Sequence, residues 1–195
     1  MVETPSLLLF TVAVAAGSML ALWLLSLVLR DVSIVDPFWG AGFAILTFSA
    51  AVYGDGVGFR QGIVLALVWL WALRLGGYLL WRNWGEGEDY RYREMRAKAG
   101  PSFWWRSLYI VFGLQGVLMW VISLPLQNAV TAPSPAQLGV WEGLGVVFVL
   151  FGLFWEAVGD WQLTRFKADA ANRGKVMDRG LWRYTRHPNY FGDAV

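Results

Sequence analysis

The 195-residue chain is 57% hydrophobic, and charge falls on only 15% of its positions, where a soluble domain carries about 25%. That deficit, with a mean hydropathy of +0.46, excludes a soluble globular core, and a net charge of +2 gives no footing for nucleic acid. Cysteine is absent and histidine occurs once, which excludes disulfides, thiolate metal sites and multi-histidine centres.

Inside lipid only helices and closed barrels satisfy their own backbone, and the apolar runs here lack the alternation over about ten residues that marks a barrel strand. The expectation is an all-α polytopic membrane helix bundle, a single membrane domain over 1–195. A spanning helix needs about 20 mostly apolar residues, and five segments meet that demand. The first, 5–29, is closed by Arg30 and Asp31; its start, Met1-Val2-Glu3, and its length are unlike a secretory signal. The second, 32–53, holds Asp36 and Pro37 near its start, so it is expected to be tilted or partly re-entrant. Arg74 interrupts the third, 61–81. The fourth and fifth are 108–128 and 138–159, and the fifth is expected to continue as helix past the membrane through Asp160, Leu163 and Lys167.

Loop charge sets the expected orientation. Arg82, Arg91, Arg93, Arg96, Lys98 and Arg106 crowd the connection between the third and fourth spans, whereas 129–137 carries no charge and 54–60 a single basic residue. The tract after the fifth span is again basic. By the positive-inside rule the N-terminus lies outside and residue 195 in the cytoplasm of a multi-pass protein, in bacteria of the inner membrane. Trp81, Trp84, Trp104, Trp105 and Tyr109 sit near span ends, as interface anchors do.

Ionisable groups inside a membrane are costly and point to function. Arg74 shares a helical face with Tyr78 one turn on, and either serves a site or pairs structurally with Asp36 or Glu156. Glu156, Asp160 and Lys167 fall on one face of the fifth span; two acids one turn apart call for a cation between them, unless Asp160 rests in interfacial water. The densest feature is the tract 174–193. It combines Lys175, Arg179, Arg183 and Arg186 with Trp182, Tyr184, His187, Asn189, Tyr190 and Asp193. Guanidinium and ammonium groups suit phosphates, aromatic faces suit rings, and an amide with a carboxylate suits the edge of a heterocycle. The same tract also suits anionic lipid heads. Asn189 and Asp193, four apart after Pro188, would share a face of a helical turn, the alternative being that Asn189 only caps that turn. Gly40-Ala41-Gly42 and Gly54-Asp55-Gly56-Val57-Gly58 lack the spacing and strand of a soluble dinucleotide fold. They read as helix-packing glycines and a tight loop.

The string Arg183-Tyr184-Thr185-Arg186-His187-Pro188-Asn189-Tyr190-Phe191-Gly192-Asp193, preceded by Gly180-Leu181-Trp182, resembles the C-terminal signature of the steroid 5-alpha-reductase superfamily. The whole chain is similar to its bacterial branch of membrane proteins. Ser33 to Gly40, Arg74 to Arg82, Asp89-Tyr90-Arg91-Tyr92, and Gly159-Asp160-Trp161-Gln162-Leu163 to Lys167 carry the likeness further. The Arg-His-Pro-Asn-Tyr core also resembles isoprenylcysteine carboxyl methyltransferases, phospholipid N-methyltransferases and sterol reductases.

The resemblance implies NADPH held by the cytoplasmic ends of the late helices and a lipophilic enone substrate, steroid-like or otherwise, drawn from the bilayer. It places Asp160, Lys167, Lys175, Tyr184, Asn189 and Asp193 at cofactor-contacting positions, and Glu156 where the steroid enzymes have an amide. Asp36 and Tyr78 are chemically plausible stand-ins for the catalytic acid and tyrosine of those enzymes. An S-adenosylmethionine-dependent lipid methyltransferase using the same tract is the alternative. Members of the superfamily run several tens of residues past this motif, so a shortened, inactive membrane protein that binds only lipid is the third reading.

Overall fold

The computed structural model describes residues 4–54, 57–133 and 137–195. The start Met1-Val2-Glu3 and parts of the two weakly charged connections, 54–60 and 129–137, lie outside them. The described residues are helical with no strand, and five helices are long and apolar enough to cross a membrane. The chain divides into two compact units, Met1–Ala136 and Gln137–Val195.

The first unit contains α1 (Thr4–Leu29), α2 (Val35–Tyr53), α3 (Phe59–Asn83) and a short polar helix α4 (Tyr90–Ala99). A composite helix follows: α5 (Phe103–Ser107), a π turn (Leu108–Gly113) and α6 (Leu114–Thr131). α2 is the centre of the unit and packs on α1, α3 and α6. It is one uninterrupted helix rather than a re-entrant segment. Pro37 falls in its first turn, where the missing N–H breaks no helical bond.

Close packing around α2 depends on its glycines, because no hydrophobic force draws apolar helices together in lipid and small residues let backbones approach. A Cβ at Gly40 would lie 2.9 Å from the Ala72 Cα, and one at Gly42 would overlap the Met119 side chain. Both are therefore the helix-packing glycines that the sequence suggests. Phe43, Leu46, Phe112 and Met119 fill the space between these helices. Outward-facing residues such as Leu9, Val28 and Leu73 stay exposed, as a lipid-facing surface requires.

The second unit is α7 (Val140–Ala168), two 3₁₀ turns at Ala170–Asn172 and Gly180–Arg183, and α8 (Pro188–Ala194). α7 does run on through Asp160, Leu163 and Lys167. The tract beyond it folds back along α7 and not merely against its end. Gly159 faces Pro188, and Gly152 faces the Gly192 backbone so closely that a Cβ would lie 2.5 Å from the carbonyl oxygen. α8 is thus antiparallel to α7, and the seven residues from Gly159 to Gly152 correspond to about 10 Å of rise.

Candidate functional site

Two polar clusters stand out, one in each unit. In the first unit the turn between α1 and α2 meets the start of α4. Asp36 accepts at both carboxylate oxygens: the Tyr92 hydroxyl donates to Oδ1 at 2.7 Å, and Arg91 Nη2 donates to Oδ2 at 2.7 Å. Gln115 Nε2, just past the π turn, donates to the Tyr92 oxygen at 3.3 Å. Arg91 also donates from Nε to Asp89 at 2.9 Å, so its guanidinium joins two carboxylates. The Asp89 side chain in turn caps α4 by accepting from the Arg91 backbone N–H. Tyr92 is only 5% exposed, which makes its phenol the most buried polar tip of the cluster.

Beside it lies a second clamp. Glu88 accepts from Arg96 Nε and Nη2 at 3.0 and 2.7 Å, and from the Val32 backbone N–H at 3.0 Å. Arg96 stacks over Phe103 at 4.6 Å. Burial pushes the Glu88 carboxyl up, but Arg96 and the Val32 N–H outweigh it and hold the group below its usual value. Asp89 is lowered as well, chiefly by its hydrogen bond from Arg91, with burial opposing. Both groups lie in the connection before α4, outside the membrane-spanning segments.

Asp36 therefore occupies a built polar site. Its phenolic neighbour there is Tyr92; the ring of Tyr78 lies 6.1 Å from that of Trp81 and under Arg82. Residues 33–40 and 89–92, both part of the resemblance, are brought together across 56 positions of sequence. Tyr92, Arg91 and Gln115 were not singled out from sequence. The available signal was the Asp89-Tyr90-Arg91-Tyr92 string, which places a phenol and a guanidinium side by side.

In the second unit Glu156 and Asp160 are buried on α7, 2% and 6% exposed. Asn189 Nδ2 donates to Asp160 Oδ1 at 3.4 Å. Asn189 occupies the second position of α8, behind Pro188. The residue flanking the helix is His187, which makes no side-chain cap, so the geometry of Asn189 is not that of a cap. Its Oδ1 is buried with no hydrogen-bond partner among the described residues. The turn before α8 is tied to α7 as well: Leu181 N–H donates to Gln162 Oε1 at 2.9 Å and Trp182 Nε1 to the Gly159 carbonyl at 3.0 Å. Gly180 at φ +59° leaves room for Gln162 to make that bond.

Lys167 and Lys175 converge as well. With Arg173, Asn172 and Asp169 they line a cavity of about 580 Å³ between the end of α7 and the following loop. Tyr184, 78% exposed, and Asp193, which lies on α8 four residues after Asn189, are at the surface of the unit. Among the described residues there is no cluster of three His, Cys, Asp or Glu side chains able to hold a metal ion.

Comparison with known proteins gives one family. A family model described as "Protein of unknown function (DUF1295)" matches residues 22–195. No curated protein and no solved structure matches the chain. The family match takes in both polar clusters, from Asp36 to Asp193, and the chain belongs to the DUF1295 family.

Proposed function

We propose that the protein is an integral membrane, NADPH-dependent reductase of a carbon–carbon double bond in a lipophilic enone taken from the bilayer. The observation that carries this reading is the convergence of Lys167, Arg173 and Lys175 on one cavity. Three cations against the single carboxylate of Asp169 suit a cofactor bearing several phosphates, whereas S-adenosylmethionine bears none. The donor set fits the rest of the group too. Asn189 offers a buried amide oxygen without a partner among the described residues, suited to an N–H of a carboxamide, and Asp160 beside it accepts from NH₂ groups. Tyr184 and Asp193 complete the set that the resemblance to the steroid reductases implies.

When bound, the cofactor supplies a hydride. What the reaction then asks of the protein is a proton donor for the substrate carbonyl and a cradle that excludes water. In this reading the proton sits on the Tyr92 oxygen, and Asp36 with Gln115 holds that hydroxyl in place. Arg91 keeps the Asp36 carboxylate oriented. Tyr78, one turn from Arg74 on α3, is the alternative donor, with Asp36 as its acidic partner.

Calorimetry of the detergent-purified chain with NADPH, NADH and S-adenosylmethionine tests the reading. Binding of NADPH in preference to NADH is expected. Preference for S-adenosylmethionine would replace the reductase by a lipid methyltransferase, and binding of none of the three would leave the inactive, lipid-binding reading.

A further inference from the structure

An apolar cavity of about 490 Å³ lies in the first unit between α1 and the π turn with the start of α6. Val12, Ala16 and Leu20 form one wall, and Tyr109, Gly113 and Trp120 the other. The Trp120 ring N–H is already engaged, donating to Thr11 Oγ1 at 3.0 Å, so the Trp120 end of the cavity asks for no polar ligand. Along the composite helix the lining runs from Leu108 to Trp120, about 18 Å at 1.5 Å per residue. It is a slot for one extended chain. Both walls belong to membrane-crossing helices, where the surrounding solvent is itself acyl chain.

The two ends of the slot differ in charge. One turn before Tyr109, the exposed Arg106 has its guanidinium 5.7 Å from the Trp105 ring, which lies 5.7 Å from the Tyr109 ring. This Trp-Arg-Tyr group has the composition of a membrane interface anchor, and among the described residues no carboxylate forms an ion pair with Arg106. An apolar slot that ends beside an uncompensated cation at the interface is complementary to an amphiphile with an anionic head. We infer that this groove binds one acyl chain of an anionic phospholipid, with the phosphate held at Arg106. This inference is independent of the reductase reading, which concerns the other clusters.

Native mass spectrometry of the detergent-purified full chain tests it, using phosphatidylglycerol, phosphatidylcholine of the same acyl chains, and palmitate as probes. The wild type should retain one phosphatidylglycerol about five-fold more tightly than phosphatidylcholine, the factor expected for one interfacial arginine. Arg106→Gln, at an exposed position, should erase that preference while keeping phosphatidylcholine retention. Ala16→Phe should fill the slot and abolish retention of both lipids. Leu73→Phe, on the exposed face of α3, should change nothing. Equal retention of the two phospholipids by the wild type would overturn the inference, as would full retention by Ala16→Phe. Palmitate bound in preference to phosphatidylglycerol would overturn the choice of phospholipid.

Discussion

Tyr92→Phe isolates the hydroxyl at the centre of the first cluster. The ring stays, so the core around Phe112 and Met119 keeps its volume, and only the polar tip is lost. Two hydrogen bonds go with it: one to the Asp36 carboxylate at 2.7 Å and one from Gln115 at 3.3 Å. A hydrogen bond to a charged group is worth about 1.5 to 3 kcal/mol and a neutral one about 0.5 to 1.5. The Asp36 side chain is 19% exposed, so water replaces part of what it loses. The expected cost is about 2 kcal/mol. Arg91→Gln removes an equally short ion pair to the same carboxylate, 2.7 Å, but that guanidinium is 52% exposed, and solvent screening should hold its cost to about 1 kcal/mol or less. The measurement is unfolding in mixed micelles titrated with dodecyl sulfate and followed by circular dichroism. A Tyr92→Phe cost within about 0.5 kcal/mol of zero, or an Arg91→Gln cost above it, would refute the view that the buried phenol and not the exposed guanidinium anchors Asp36.

Two further outcomes follow from the packing and the electrostatics. Because the effect of burial on the Glu88 carboxyl is outweighed by Arg96 and the Val32 N–H, which hold it below its ordinary value, its stabilising contribution is complete above that ordinary value and disappears as the pH falls through the lower, folded-state value. Melting of wild type and Glu88→Gln should therefore differ at pH 6 to 7 and converge in strong acid; a gap that widened on acidification would reverse the sign. Gly40→Ala should destabilise by about 1 to 3 kcal/mol, since its Cβ meets the Ala72 backbone at 2.9 Å. Gly77→Ala, with nothing within 4 Å, should be neutral or slightly stabilising, and equal effects in the same denaturation assay would argue against a tight α2–α3 contact.

The spans were readable because apolar length is a local property. Segments expected at 5–29 and 61–81 correspond to α1 and α3, and the expected extension of the fifth span is α7. The π turn at Leu108–Gly113 was not readable. It lies inside an apolar run whose composition is the same for an α-helix, and it packs against α1, a contact no local pattern shows. Asp36 was identified because a carboxylate near a span is conspicuous. Its partners were missed because Tyr92 and Arg91 sit in a charged connection more than fifty residues away, where a basic composition already has an explanation in topology. In the second unit the four-residue spacing of Asn189 and Asp193 behind Pro188 pointed to the helical turn, which is α8. The return of that turn along α7 depends on Gly152 and Gly159, whose missing side chains admit α8; from sequence they are only two glycines among many.

In the proposed reductase the second unit reads a nicotinamide cofactor through Asn189 and grips its phosphates through surface cations. Calorimetric NADPH affinities of wild type, Asn189→Ala and Lys175→Ala, each at low and high salt, separate these two contributions. Loss of a buried hydrogen bond of about 1 to 3 kcal/mol corresponds to roughly five- to 150-fold, so Asn189→Ala should weaken binding by that factor at both salt concentrations. The exposed Lys175 contact should matter less and fade with salt. A larger loss in Lys175→Ala than in Asn189→Ala at both salts would rule out Asn189 as the reader of the nicotinamide ring.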